Sequence, residues 1–490
     1  MARKHETFRI HKVLRRFDRH SGKFVINVSF ETAAPESTDR VVATAEAFGL
    51  GLDRWEKFTV FEDVELKIGL KDVVYITGDS GSGKSVLLRA LEKDIRRDLK
   101  LTSINLNDVK PDVSKPLIET VGETVEEGLE LLARVGLGDA FLFLRTFKEL
   151  SDGQKYRYRI AKMIESKAQF WVLDEFAATL DRDTAKVVAW NLQKIARSEG
   201  KCVLAATTHK DLLLDLNPDV HIHKRFGKEI HVAYYPNPVP RSCSLVGEMK
   251  VVEGCMADWR ELACFHYRSH RLPAPRKIFY LKRGEELCGV IVYCYPSPAC
   301  FGRRQVLPRM VMHDLNKCLS TISRVVIHPK YRSLGLGAGL VRETLSLAGT
   351  EYVELVAVMA KYNPFAERAG MRKVALEVKT RQVLALAGIL ESAGLDRRLF
   401  GSVGHVEERL KAMSKEKLDL VRAAFAKCKN GPFLKVFFSN VPFVSAAEYD
   451  DYRKCVEEAG VDRLALLIKA CGFLLQEKVY LFYEKPAGSG

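Results

Sequence analysis

Apolar residues in the first half of the chain fall into short continuous runs, each followed by a stretch with helical spacing. KFVINVSFET, residues 23–32, alternates apolar and polar positions as a half-buried strand does. DVVYITG, 72–78, is a continuous apolar strand, and SVLLRALEKDI, 85–95, returns to the three- and four-residue spacing of a helix. QFWVLDE, 169–175, and KCVLAATTH, 201–209, are two more buried strands. Apolar strands separated by helices predict a parallel α/β sheet covered on both faces. AYYPNPVPRSC, 233–243, holds three prolines and ends the pattern, so a boundary is placed there. From 244 to about 380 the order is helix, hairpin strands, loop, strand, glycine loop, helix, strand, helix, strand. TRQVLALAGILESAG and SKEKLDLVRAAFAKC make the tail helical, and it closes on the strand-like KVYLFYEK, 478–485. Three domains follow: 1–238 with a basic N-terminal extension, 239–380, and a mostly helical extension over 381–490.

Composition narrows the class. Hydrophobic residues make up 47% of the 490 and charged residues 28%, and no apolar run approaches the ~20 residues of a membrane-spanning helix. The opening MARKHETFRIHKVLRRFDRH has no apolar centre, so no secretory leader is expected. Eleven cysteines without a C-x-x-C pair point to reduced thiols, a cytoplasmic location and no zinc site. The formal net charge is +15, of which residues 241–380 carry +10. A basic segment around a glycine loop suits a nucleic acid partner, RNA and tRNA included; the plainer reading is a solvated basic face.

Two glycine-rich loops carry the candidate chemistry. Gly78-Asp79-Ser80-Gly81-Ser82-Gly83-Lys84-Ser85 fits G-x-x-x-x-G-K-[ST] between a strand and a helix. Its glycines let backbone N–H groups turn toward a β-phosphate, Lys84 reaches the β- and γ-phosphates, and Ser85 is placed to ligate Mg²⁺. LSDGQKYRYRIAKMI, 150–164, precedes FWVLDE and resembles the signature of the ABC ATPase family, usually spelled LSGGQ. The order of motifs continues as in that family over about 50–230. Asp174 stands at the magnesium aspartate, Glu175 at the catalytic glutamate, ATLD (178–181) at the D-loop and His209 at the switch histidine.

The resemblance implies that Asp174 and Ser85 hold Mg²⁺, that Glu175 orients or deprotonates the attacking water, and that His209 contacts the γ-phosphate of ATP. It also implies that Ser151 and Gly153 act on nucleotide held by the opposite subunit, hence a head-to-tail homodimer. Trp55 or Phe58 is available to stack on adenine. Asp152 replaces the usual glycine, and no glutamine occurs between residues 86 and 153, so the Q-loop lacks its residue. The short span from Ser85 to Leu150 argues for a soluble ABC protein with no membrane partner rather than a transporter subunit.

The second loop lies in ISRVVIHPKYRSLGLGAGLVRETL, where Arg332-Ser333-Leu334-Gly335-Leu336-Gly337-Ala338 is similar to the [RQ]-x-x-G-x-[GA] motif of the GNAT acetyltransferase superfamily. YVELVAVMA and NPFAERAGM, the latter beginning at Asn363, follow at the family's spacing, and KIFYLKRGEELCGVIVYCYP (277–296) suits its preceding hairpin. The fold class implied is an α/β ABC-type P-loop ATPase domain, then a GNAT α+β domain, then the helical extension.

The resemblance implies that N–H groups of 333–338 bind the diphosphate of acetyl-CoA, that Val326 and Ile327 align its acyl arm, and that Asn363 lies beside it. The family's usual tyrosine acid is replaced by Ala366, leaving Tyr362 or Tyr331 to protonate the leaving thiolate. CFHYRSHRLPAPRK (264–277) and the arginines of CFGRRQVLPRM, Arg303, Arg304 and Arg309, are candidates to face the acceptor. The function expected is ATP-hydrolysing, acetyl-CoA-dependent N-acetylation of a base in tRNA or another structured RNA. Alternatives are a protein or small-molecule acetyltransferase switched by the ATPase, a non-catalytic ABC assembly factor with a vestigial GNAT domain, and acyl modification of adenine in DNA by a phage Mom-like enzyme.

Overall fold

A computed structural model describes residues 8–32, 37–52, 57–236, 238–266, 272–361, 363–376, 381–428, 431–438 and 446–486. The chain forms two compact units, residues 1–294 with 323–348, and residues 295–322 with 349–490.

In the first unit, three antiparallel strands, β1 (Phe8–Asp18), β2 (Lys23–Thr32) and β3 (Lys57–Lys67), make one sheet. A second sheet has the order β5-β6-β7-β4-β8-β9, from β4 (Val73–Gly78), β5 (Ser103–Asn105), β6 (Phe170–Leu173), β7 (Cys202–Thr207), β8 (Val220–Lys224) and β9 (Ile230–Tyr234). All its pairs are parallel except β8–β9. The expected parallel sheet is present, and its burial explains the continuous apolar runs. Val73, Tyr75, Trp171 and Leu173 face one core, whereas Val74, Ile76, Phe170 and Val172 face the other. Because side chains alternate across a strand, a strand covered on both sides must be apolar at every position. Helix Arg182–Glu199 is bounded by an Asp181 cap, which accepts from Thr184 N–H, and by Gly200 in the left-handed conformation.

The same unit continues through the antiparallel strands β10 (Lys250–Glu253), β11 (Pro275–Arg283) and β12 (Glu286–Cys294). The proline-rich stretch before them is not a divide between cores. Val187 and Trp190 of helix Arg182–Glu199 share a buried cluster with Leu281, Cys288, Tyr331 and Leu334, and the Trp190 indole donates to Arg241 O at 2.7 Å. The boundary expected at 238/239 therefore does not separate compact bodies, because apolar residues from both sides of it bury one another.

Strand β13 (Leu319–Ile327) carries the chain from the second unit back to the first. In the second unit Leu319–Ile322 of β13 pairs in parallel with Tyr352–Leu355 of β14 (Tyr352–Ala357). Residues 381–490 contain the helices Arg381–Ser392, Val403–Lys411, Lys415–Ala426, Ala446–Glu457 and Val461–Leu474. Leu386, Leu390, Phe425, Phe433 and Leu467 are in their core. The last strand, however, does not end a separate domain. β16 (Val479–Glu484) lies between β14 and β15 (Arg372–Leu376), antiparallel to both. Residues more than a hundred positions apart thus complete one ladder, and Val479–Phe482 are buried. Among the described residues no helix is long and apolar enough to cross a membrane.

Candidate active site

Four parallel strands deliver the first site at one sheet edge: β4 runs into the loop at 78–85, β5 into Asn105, β6 into Asp174, and β7 toward His209. Carboxyl ends of parallel strands are where an open α/β sheet leaves a crevice for ligands. Lys84 Nζ donates to Gly78 O at 2.9 Å and Asp79 O at 2.6 Å, closing the loop on itself. Gly81, Gly83 and Gly78 all have positive φ. Among the described residues, no acceptor takes the N–H of Ser80, Gly81, Gly83, Lys84 or Ser85. Ser82 Oγ is buried and likewise unpartnered. That is a phosphate cradle by geometry, so the residues fit a nucleotide.

Ser85 Oγ donates to Asp174 Oδ1 at 2.9 Å. Two hard oxygens at that separation match adjacent ligands of an octahedral ion with ~2.1 Å bonds, so the pair fits Mg²⁺. Glu175 is exposed, has φ +53° and donates its N–H to Asp174 Oδ1 at 3.1 Å. A non-glycine residue held in the left-handed region beside a metal ligand is strain of the kind functional sites retain. His209 Nε2 is buried without a partner, and its pKa is lowered by burial and by Arg182, so the ring is neutral at pH 7. Tyr75 Oη donates to His209 O and anchors that turn.

Two residues escaped the sequence reading. The β5–β6 ladder ends with Asn105 opposite Val172, and the chain then turns into the short 3-10 helix Leu106–Asp108, on which Asn107 is exposed. An exposed amide therefore follows β5, in a stretch of chain that has no glutamine. Phe226, exposed, has its ring 6.0 Å from that of Phe58, also exposed. Phe58 thus keeps a free aromatic face, while Trp55 lies outside the described residues.

The glycines here are tightly constrained. A Cβ on Gly78 would lie 2.0 Å from Lys224 O, and one on Gly83 2.5 Å from Val60 Cγ1. Gly78→Ala is therefore expected to cost about 1–3 kcal/mol by forcing β4 and β8 apart. It should weaken ATP binding too, which thermal unfolding and nucleotide titration of the variant will check.

The signature sequence forms the start of helix Asp152–Glu165. Ser151 caps it, its Oγ accepting from Gln154 N–H while Gln154 Oε1 accepts from Ser151 N–H at 3.0 Å. Asp152 is exposed beside Lys155, and Gly153 is half-buried.

The second loop differs from expectation. Gly335 has φ +81° with open space around it, and helix Leu336–Thr344 begins at the next residue. Among the described residues no acceptor takes the N–H of Ser333, Leu334, Gly335, Leu336, Gly337 or Ala338, so the backbone fits a diphosphate. The side chains of Arg332 and Ser333 are already engaged, however. Arg332 donates to Asp139 Oδ2 at 2.9 Å, and Ser333 Oγ accepts from Asn191 Nδ2 at 2.6 Å. Val326 is buried, and Ile327 packs on the cluster around Tyr331.

Tyr331 corrects another expectation. It is fully buried, its hydroxyl donates to Glu286 Oε2 at 2.6 Å, and burial and that carboxylate push its pKa far up. A phenol so held is a core residue, with no route to a leaving thiolate. Tyr362 lies outside the described residues; Asn363 is exposed, its N–H donating to Met359 O at 2.8 Å.

Arg303 is not on an exposed basic loop. It is buried and forms a two-pronged pair with Glu354 at 2.9 and 2.6 Å. Arg304 and Arg309 are exposed. Of the segment 264–277, residues 267–271 lie outside the described residues.

Comparison with known proteins covers the first site. The family model described as "ABC transporter" matches residues 61–178. The chain is 31% identical over 172 residues to the cytochrome c biogenesis ATP-binding export protein CcmA of Chelativorans sp. (strain BNC1), covering 30% of this chain and 84% of that protein. It is 26% identical over 189 residues to the methionine import ATP-binding protein MetN of Latilactobacillus sakei subsp. sakei (strain 23K), covering 32% and 54%. A solved dimeric ATP-binding cassette in a post-hydrolysis state with ADP and phosphate is 19% identical, with a TM-score of 0.31, over 36% of this chain and 92% of that one.

Proposed function

The chain belongs to the ABC transporter family of ATP-binding proteins, and from that premise we propose that it couples an ABC ATPase to acetyl-CoA-dependent N-acetylation of a nucleic acid base, in RNA and tRNA foremost. ATP binding and hydrolysis by the ABC domain are the family's activity. Ser85 and Asp174 would hold Mg²⁺, which supplies charge neutralisation at the phosphates. Lys84 must leave the carbonyls of Gly78 and Asp79 to reach those phosphates, so the loop opens as nucleotide enters. Glu175 holds the attacking water and His209, neutral and unpartnered, offers its Nε2 to the γ-phosphate. Ser151 and Gly153 would engage nucleotide on a second copy in a head-to-tail homodimer.

The observation that carries the acetyl-CoA reading is the row of unpartnered N–H groups from Ser333 to Ala338 at the start of helix Leu336–Thr344. Those groups would hold the diphosphate, and the thioester supplies the activated acyl group. With Tyr331 locked in the core, an acceptor nitrogen already neutral at pH 7 suits the site best. An exocyclic base amine is neutral there, whereas a lysine with pKa ~10.4 is not. Arg304, Arg309 and the +10 charge of residues 241–380 supply cations for a polyanion.

Gly337→Glu places bulk and negative charge in the cradle, so acetyl-CoA binding by calorimetry should vanish while ATP binding remains. Lys84→Ala should give the reverse. Mass spectrometry of nucleosides from RNA incubated with the protein, ATP and acetyl-CoA should show an acetylated base. Binding of acetyl-CoA with no modified nucleoside but with acetylated lysines would move the acceptor to protein.

A further inference from the structure

The signature helix and the second glycine-rich loop line one cleft of about 470 Å³, where Ser151, Gly153 and Asp181 face Lys330 and Arg332. Helix Asp152–Glu165 does more than border it. Arg157, buried on that helix, donates to Pro329 O at 3.3 Å and Lys330 O at 3.2 Å, and also to Gly136 O at 3.4 Å. Two further grips hold the same turn. Asp139 takes Arg332, and Asn191 bridges Arg134 O and Ser333 Oγ. Gly136, with φ +85°, has no side chain to hold these apart: a Cβ there would meet Arg157 Nη1 at 3.0 Å and Ser333 Oγ at 3.2 Å.

We propose that Arg157 is a positioning residue tying the signature helix to the second loop, so that nucleotide engaged at Ser151 and Gly153 sets the conformation of residues 329–338. Arg157 lies six residue steps along the helix from Ser151, about 9 Å of a stiff rod. A displacement imposed on the helix start therefore arrives at the guanidinium nearly undiminished. The guanidinium holds two consecutive carbonyls of the turn from which the N–H row emerges, in a partly buried setting where an unmade hydrogen bond is costly. Ser333, at φ +74°, is the residue that releases its strain if the grip shifts. The inference rests on the ATP half of the proposed function and is independent of whether acetyl-CoA is the second ligand.

The test is amide hydrogen exchange of residues 329–340 in the full-length chain carrying Glu175→Gln, with and without Mg-ATP, after calorimetry has shown that ATP is bound. ATP should change exchange in Leu334–Leu340 by about fivefold or more, the scale of an ordinary coupling free energy. Arg157→Met keeps the volume and removes both donors; it should abolish the response while leaving ATP affinity in place. Arg157→Lys, which reaches one carbonyl, should respond in part, and it carries the test if the Met variant does not fold. Unchanged exchange in ATP-loaded protein, or a full response in either variant, overturns the proposal. Acetyl-CoA titration of the same samples is read separately: failure there sinks acyl transfer but leaves the exchange result standing.

Discussion

Replacing Glu175 by Gln is expected to leave ATP binding intact and to slow hydrolysis by about 10²–10⁴-fold, the usual worth of a positioned general base. The reason is local. Ser85 Oγ and Asp174 Oδ1 remain 2.9 Å apart, and the unpartnered N–H groups of the loop are untouched. Only the exposed carboxylate next to Asp174 is lost, and an amide of equal size cannot take a proton from water. The left-handed backbone at Glu175 suffers no more from Gln than from Glu, so folding should not change. With hydrolysis blocked, a sandwich closed through Ser151 and Gly153 has no route to open. Size-exclusion chromatography of the variant with Mg-ATP should therefore show a dimer that the wild-type chain shows only transiently. A monomer under saturating ATP would rule out the head-to-tail arrangement.

The second large effect is structural. Arg303→Ala should destabilise the second unit by about 3–5 kcal/mol, because it strands a buried carboxylate. Glu354 is 1% exposed. It accepts from Arg303 Nε and Nη2, from Thr321 Oγ1 at 2.7 Å and from the Tyr480 hydroxyl at 3.0 Å. Arg303 also donates to Ser297 O at 2.7 Å, so its removal unmakes the loop as well as the pair. Arg304→Ala and Arg309→Ala, exposed neighbours in sequence, should each stay within about 0.5 kcal/mol of wild type. Denaturant titration of the three variants checks this, and a double change of Arg303 to Met and Glu354 to Gln should recover part of the loss. If Arg303→Ala melts like its neighbours, the buried pair contributes little. For nucleic acid binding, only Arg304 and Arg309 are fair probes. Their joint replacement should lower the log–log salt slope by up to about one unit for each phosphate they neutralise.

The loop at 78–85 was readable because a phosphate cradle is built from consecutive backbone groups, so its whole geometry is spelled in eight adjacent letters. Asp174 and Glu175 were readable through the resemblance to the ABC ATPase motif order, and the strand Phe170–Leu173 just before them delivers them to the carboxyl end of the sheet. Asn107 was not, because an asparagine after a three-residue strand means nothing until the fold shows it exposed just past the end of the β5–β6 ladder. Arg303 misled for a similar reason. An arginine pair in a loop reads as surface charge, and only folding brings Glu354, fifty-one residues on, against one of the two.

What the sequence by itself determined is therefore local. It specified the nucleotide loop, the strand–helix alternation of the ATPase half, the glycine turn that opens helix Leu336–Thr344, and the helical character of the tail. The tertiary structure alone decided which of the conspicuous residues are occupied. Tyr331 is spent on Glu286, and Arg332 and Ser333 are held by Asp139 and Asn191. It also decided that the last strand of the chain completes a ladder between β14 and β15. The physical reason is the range of the forces that set each feature. Turn and helix preferences act over a few bonds and are written in neighbouring residues. Burial of charge and pairing of strand edges depend on what the rest of the chain brings within a few ångströms.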